Sequence, residues 1–320
     1  MDFPAFRPRA PWWGGDLQTL RNTALRKLGT RFDFPGERLA LDAGDGSGDR
    51  LMALFNEGKP GQPLVVLVHG LTGCEGSSYM VNTARHLTGL GYSVLRLNMR
   101  GAGPSADCCG QRYHAGRGQD IAAALAAPDP AMLGCGVMMA GYSLGGSILL
   151  NFLARHADTF PVRAAATVSA PIDLAECSRR ILGFRNNIYH RYLIDRMKVD
   201  WAGAALGERE RVALAEVRTI WEFDDRLVAP ANGFGTADNY YTECSGARVL
   251  PDLEIPTLMI HAANDPWIPA KSYRAVDWDS NARLTPLLAS GGGHVGFHRK
   301  GTPPNWHDLC MGAFFGALAG

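Results

Sequence analysis

The sequence predicts an α/β protein: a mostly parallel, doubly wound sheet with helices on both faces, interrupted by a mainly helical insertion. Three observations carry this. From Leu64 to Ala170, short apolar runs alternate with helix-length segments, the pattern of a parallel sheet with crossover helices. From Ile172 to Glu254 the alternation stops, and helical stretches rich in arginine and aromatic residues take its place. From Pro256 it resumes and runs almost to the end of the chain.

Leu64–Val68 is a continuous run of Leu and Val, as expected of a strand buried on both faces. Ser78–Leu90 reads as a helix stopped by Gly91, and residues 92–98 as the next strand. A loop follows, and then a helix over 119–127 that Pro128 ends. Residues 137–140 form a strand, 144–156 a helix and 162–169 another strand. After the insertion come a strand over 256–262, a helix over 270–276, a strand at Leu284–Ala289 and a closing helix at Trp306–Leu318. The expected division is therefore residues 1–171 and 255–320 as two parts of one core, with 172–254 inserted as a cap. Loops leaving the C-terminal ends of parallel strands surround the ligand crevice, so this insertion is expected over the site.

The chain has 320 residues, 46% of them hydrophobic, and a formal net charge of +1. That balance offers nucleic acid no basic footprint. No apolar run reaches the length of a membrane span, and the first residues lack the apolar stretch of a secretory signal. A cytoplasmic location is expected. The seven cysteines, including the neighbours Cys108 and Cys109, show no framework spacing and read as small, reduced, apolar residues. No metal-ligand motif or cofactor motif is present, so neither metal nor cofactor is expected. Leu17, Leu20, Ala24 and Leu28 recur at helical spacing, with Arg21, Arg26 and Lys27 nearby and Trp12 and Trp13 ahead. Such a stripe over residues 11–28 suits peripheral contact with a membrane, but the expected use is packing on the protein's own body.

Gly141-Tyr142-Ser143-Leu144-Gly145 matches G-x-S-x-G and joins a predicted strand to a predicted helix. In that context the serine sits on a strained turn that lifts its hydroxyl above the sheet, and the glycines let the chain pass close to itself. A nucleophilic serine needs a base and an orienting acid, in the chain order Ser, acid, His. Asp265 follows the strand over 256–262, and His294 follows the last strand in a glycine-rich loop. Asp224 and Asp225 are competing acids, but they fall in the insertion. His69, His261 and His298 fit the base less well. An oxyanion hole needs two backbone N–H groups; Leu144 supplies one and Leu71, in His69-Gly70-Leu71-Thr72-Gly73, is expected to supply the other.

Taken together, these segments resemble the YheT-like α/β-hydrolases, grouped with medium-chain fatty acid ester hydrolases and acyltransferases. The likeness spans nearly the whole chain. It rests on Pro11-Trp12 with Leu17-Gln18-Thr19-Leu20, on the His69–Gly73 and Gly141–Gly146 segments, and on Asn98-Met99-Arg100-Gly101. Ser169-Ala170-Pro171, Glu222-Phe223-Asp224-Asp225, Pro256-Thr257-Leu258 through Asp265-Pro266, and Gly292 to Phe297 complete it. Asn264 departs from it, since many relatives carry a second aspartate there. The resemblance implies the α/β-hydrolase fold and a carboxylic-ester hydrolase working through an acyl-Ser143 intermediate. The substrate class does not follow from it; small-molecule short- to medium-chain acyl esters are the expected substrates. Two other readings stay open: an alcohol acyltransferase using the same intermediate, and a non-catalytic scaffold that binds a ligand.

Overall fold

The apolar runs become neighbouring strands of one eight-stranded sheet in the order β1-β2-β4-β3-β5-β6-β7-β8. The computed structural model describes residues 2–301 and 303–319. The strands are β1 (Glu37–Asp42), β2 (Arg50–Asn56), β3 (Leu64–Val68), β4 (Ser93–Leu97), β5 (Val137–Tyr142), β6 (Val162–Val168), β7 (Thr257–Ala262) and β8 (Leu284–Ala289). From β4 onward across the sheet all pairings are parallel, while β1–β2 and β2–β4 are antiparallel. Every residue of β3, β5 and β7 is buried, which explains their unbroken apolar character. β8 lies at the sheet's edge, where Pro286 removes no ladder bond that an inner strand would need.

β1 and β2 carry no clear strand signal in the sequence. Their hairpin runs through Asp42 to Arg50, a stretch with three glycines. In β2, Leu51 and Ala53 are buried, but Met52 and Leu54 on the opposite face are apolar too. Period-two alternation is therefore hidden in the composition.

Twelve α-helices cover or extend the sheet among the described residues. They are α1 (Gly15–Lys27), α2 (Ser78–Leu90), α3 (Gly118–Ala126), α4 (Leu144–Arg155), α5 (Leu174–Leu182), α6 (Asn187–Ala202), α7 (Glu208–Glu216), α8 (Ile220–Phe223), α9 (Ala229–Ala231), α10 (Ala237–Cys244), α11 (Ala270–Arg274) and α12 (Trp306–Leu318). One face of the sheet is covered by α2 and α12 through Met80, Leu87, Trp306 and Phe315. The other is covered by α3 and α4 through Ile121, Ile148 and Phe152. Helices α5 to α10 gather around a separate apolar cluster that includes Leu193, Met197, Trp201 and Phe223. Leu71, Leu144 and Trp267 pack against that cluster, so residues 172–254 lie over the strand ends that carry Ser143.

α1 departs from expectation. It does dock on the body, but its apolar stripe is not the docking face: Leu17 is 45% exposed and Leu28 81%. Gln18 is the residue it buries. The surface beneath it is the backbone-rich loop from Gly292 to His298, which calls for hydrogen-bonding side chains rather than leucines. The cysteines also divide: Cys109, Cys177, Cys244 and Cys310 are buried, Cys74 and Cys135 are half-buried, and Cys108 is exposed. No helix among the described residues is long and apolar enough to cross a membrane.

Candidate active site

The chain leaves β3 toward β4 on one side and later returns to β5 on the other, so the strand order reverses at β3 and β5. Such a switch point opens a crevice at the strand ends. Ser143, just past β5, lines it.

Ser143 has φ 50° and ψ −125°, a conformation that side chains other than glycine adopt only under strain. Its N–H donates to the Val168 carbonyl at 2.9 Å, and its carbonyl accepts from Gly146 N–H at 2.8 Å, which starts α4. The glycines around it are steric necessities. A Cβ on Gly145 would overlap the His69 and Val68 carbonyl oxygens, and one on Gly146 would come within 2.6 Å of Ala170 Cβ. The turn exists because β5, the β3 loop and α4 meet more closely than side chains allow.

The Ser143 hydroxyl lies 2.9 Å from His294 Nε2, and His294 Nδ1 lies 2.9 Å from Asp265 Oδ2. In the tautomer that fits both contacts, Nδ1–H donates to the carboxylate and the serine O–H donates to Nε2. Asp265 Oδ1 accepts from the backbone N–H groups of Trp267 and Ile268 at 2.8 and 3.0 Å. Burial alone would raise the Asp265 pKa. The charge and hydrogen bond of His294, together with His261 and the Ile268 N–H, outweigh it and hold the carboxyl below its usual range. The Trp267 ring lies over the imidazole with centroids 4.3 Å apart. A hydroxyl, an imidazole and a carboxylate in this row can pass a proton from oxygen to nitrogen and stabilise the imidazolium that results.

The His69–Gly73 loop faces Ser143. Gly70 N–H donates to the Tyr79 hydroxyl at 3.0 Å, and Thr72 N–H to the Tyr113 hydroxyl at 2.8 Å. Between them, Leu71 N–H has no acceptor among the described residues, and neither has Leu144 N–H at the start of α4. His69 fixes the loop from beneath. Its Nε2 accepts from Met99 N–H at 3.0 Å, so Nδ1 carries the proton and donates to the Gly70 carbonyl at 2.8 Å. Burial lowers the His69 pKa to about 4, which keeps the ring neutral.

Several of these parts were not assigned from the sequence. Thr19 Oγ1 accepts from His294 N–H at 2.8 Å, and Gln18 bonds the His298 backbone at both its N–H and its carbonyl. Ser169 Oγ accepts from Val295 N–H at 3.2 Å, and Asn264 Oδ1 accepts from Gly293 N–H at 3.0 Å. An aspartate at 264 could accept the same bond, so the departure there keeps the brace. Gln18 and Thr19 stand out in the sequence only as part of a segment that carries the family resemblance, not as neighbours of residues 280 and 275 positions away. The Asn98–Gly101 segment is structural. Asn98 binds Glu75, and the buried Arg100 pairs with Asp120 at 2.7 Å and Asp49 at 2.9 Å. Of the competing acids, Asp225 caps Ala237 N–H at 2.9 Å, and Asp224 lines the cavity above Ser143. Among the described residues, no group of three or more His, Cys, Asp or Glu side chains could hold a metal ion.

The sheet order, the strained serine turn and the row Ser143–His294–Asp265 are those of an α/β-hydrolase. A family model described as "Serine aminopeptidase, S33" matches residues 59–294. "Putative esterase YheT" of Escherichia coli is 32% identical over 88% of this chain and 83% of its own. The chain belongs to the YheT-like α/β-hydrolases. It is also similar to mouse "Phospholipase ABHD3", at 28% identity over 74% of this chain and 58% of that one. Among solved structures, the Pyrococcus furiosus esterase Pf2001 superposes with a TM-score of 0.59 over the full length of both chains at 15% identity, a likeness of fold.

Proposed function

We propose that the protein is a serine carboxylic-ester hydrolase that cleaves short- to medium-chain acyl esters through an acyl-Ser143 intermediate. The observation that carries the reading is the continuous row Ser143–His294–Asp265. Ser143 Oγ attacks the ester carbonyl while its proton passes to His294 Nε2. The carbonyl oxygen gains charge between the Leu71 and Leu144 N–H groups, which are already held in place and have no other acceptor among the described residues. Asp265 keeps the imidazole in the right tautomer and offsets its positive charge. As the tetrahedral intermediate collapses, the imidazolium returns its proton to the departing alkoxide and the alcohol leaves. Water then attacks the acyl-serine ester, His294 takes a proton from it, and collapse releases the acid and restores the Ser143 hydroxyl.

The wall above Ser143 is mostly apolar, with Leu174, Ile181, Leu193 and Phe223 contributed by residues 172–254. That segment acts as a cap that selects the acyl chain by the apolar surface it covers, with each buried methylene worth about 0.8 kcal/mol until the space is full. The reading is tested by kcat/KM across p-nitrophenyl esters of increasing chain length, with Ser143→Ala as control. Expected is a rise to an optimum at short or medium chains that Ser143→Ala abolishes. Turnover that is flat with chain length and unaffected by Ser143→Ala would refute it.

A further inference from the structure

The cavity above Ser143 contains a polar group that ester cleavage does not use. Asp224 is 8% exposed and lines the same cavity as Ser143, beside the apolar Phe223 and Val228. One of its oxygens, Oδ2, accepts from the Tyr241 hydroxyl at 2.7 Å, and Tyr241 in turn lies 3.2 Å from Ser178 Oγ. The other, Oδ1, has no hydrogen-bond partner among the described residues, and no basic side chain there pairs with the carboxyl. Asp200 also reaches the cavity, but from a half-exposed position beside Arg112 and Arg196. Asp224 stands at the first residue of a π-helical turn, Asp224–Val228, between α8 and α9. Such turns are rare and occur frequently at functional sites.

A buried carboxyl without a cation destabilises the fold, so its place here calls for a ligand. We propose that Asp224 forms a subsite that binds a hydroxyl group carried by the substrate at a distance from the scissile ester. This rests on the hydrolase reading above and deepens it: the substrate is a hydroxylated ester rather than a plain alkanoate. A hydroxyl suits the site better than an amine. With its pKa raised to about 7 by burial, Asp224 exists both ionised and neutral near neutral pH. A hydroxyl can donate to the carboxylate or accept from the acid, and it has less water to lose on entering an apolar wall than an ammonium has.

The hydroxyl could belong to the acyl chain or to the alcohol, and two substrate pairs distinguish them. The first compares p-nitrophenyl hexanoate with its 6-hydroxy counterpart. The second compares propyl hexanoate with 3-hydroxypropyl hexanoate. The readout is the ratio of kcat/KM, hydroxylated over plain, within one preparation, so any loss of folded protein cancels. In the wild type at least one pair should give a ratio of roughly ten, the scale of a hydrogen bond to an ionisable group. Asp224→Leu should bring that ratio to one or below, and Asp224→Asn should leave it in between. Ratios at or below one in both wild-type pairs, or a ratio unchanged by Asp224→Leu, would overturn the subsite alone. Absence of any Ser143-dependent turnover would overturn the hydrolase reading and the subsite with it.

Discussion

The backbone N–H of His294 donates to the hydroxyl of Thr19, 2.8 Å away and 275 positions earlier in the chain. Thr19 in turn donates to the Gly15 carbonyl at 2.7 Å, so its lone pair is aimed at the histidine loop. α1 is thereby a brace for the imidazole. Thr19→Val keeps the shape and removes the acceptor, leaving a part-buried N–H unpaired at a cost of about 1–3 kcal/mol. Thr19→Val should lower kcat roughly 10- to 100-fold with little change in KM, because small misplacements of a catalytic group act on the chemical step. Thr19→Ser should retain most activity. Steady-state kinetics on a single ester check this; an equal loss in both variants would show that the methyl group, not the hydroxyl, matters.

Asp265 is expected to orient His294. Asp265→Asn preserves size, but it lacks the charge that favours the imidazolium, and kcat should fall by up to about 10⁴-fold. Asp225, occupied in capping Ala237, should tolerate Asn with far less effect. If Asp225→Asn proved the more damaging change, the acid would be misassigned.

The serine turn makes a steric prediction. A Cβ on Gly70 would sit 2.9 Å from Ser143 Cβ and 3.0 Å from the Tyr142 carbonyl oxygen. A Cβ on Gly145 would overlap main-chain carbonyls of β3 and its loop. Gly70→Ala should therefore remove most activity with a modest fall in Tm, while Gly145→Ala should fail to fold or lose much more Tm. Thermal unfolding alongside kcat/KM separates the two effects.

Asp224 gives stability a distinctive pH dependence. Its pKa is near 3.9 in an unfolded chain and about 7 when folded. Between those values the folded form holds a proton that the unfolded form has lost, so this group's contribution to stability falls as pH rises from about 4 to 7. Asp224→Asn removes that slope, and the variant's Tm relative to wild type should increase across this window. Parallel Tm profiles for the two proteins would contradict it.

The core of the fold was legible because its strands are buried on both faces and read as unbroken apolar runs, as in Leu64–Val68. β1 and β2 were not, because Met52 and Leu54 mask the alternation of Leu51 and Ala53. Ser143, Asp265 and His294 were legible as a candidate set because each follows a strand in a recognisable loop, and the structure brings their side chains together. Their supports were not. That Tyr79 and Tyr113 would occupy the N–H groups flanking Leu71, or that Gln18 and Thr19 would turn inward while Leu17 and Leu20 turned out, depends on which surfaces meet. Helical spacing marks an apolar stripe but does not say what it will face.

The most direct test of the reading is the covalent intermediate itself. Purified protein is mixed with a p-nitrophenyl ester, quenched in acid within milliseconds to seconds, and analysed by intact and peptide mass spectrometry. The expected result is a mass gain equal to the acyl group replacing one hydrogen, located on the peptide containing Ser143. It should decay as acid accumulates and be absent in Ser143→Ala. Ester turnover that proceeds with no acyl adduct, or an adduct that persists in Ser143→Ala, would contradict the assignment of Ser143 as the nucleophile.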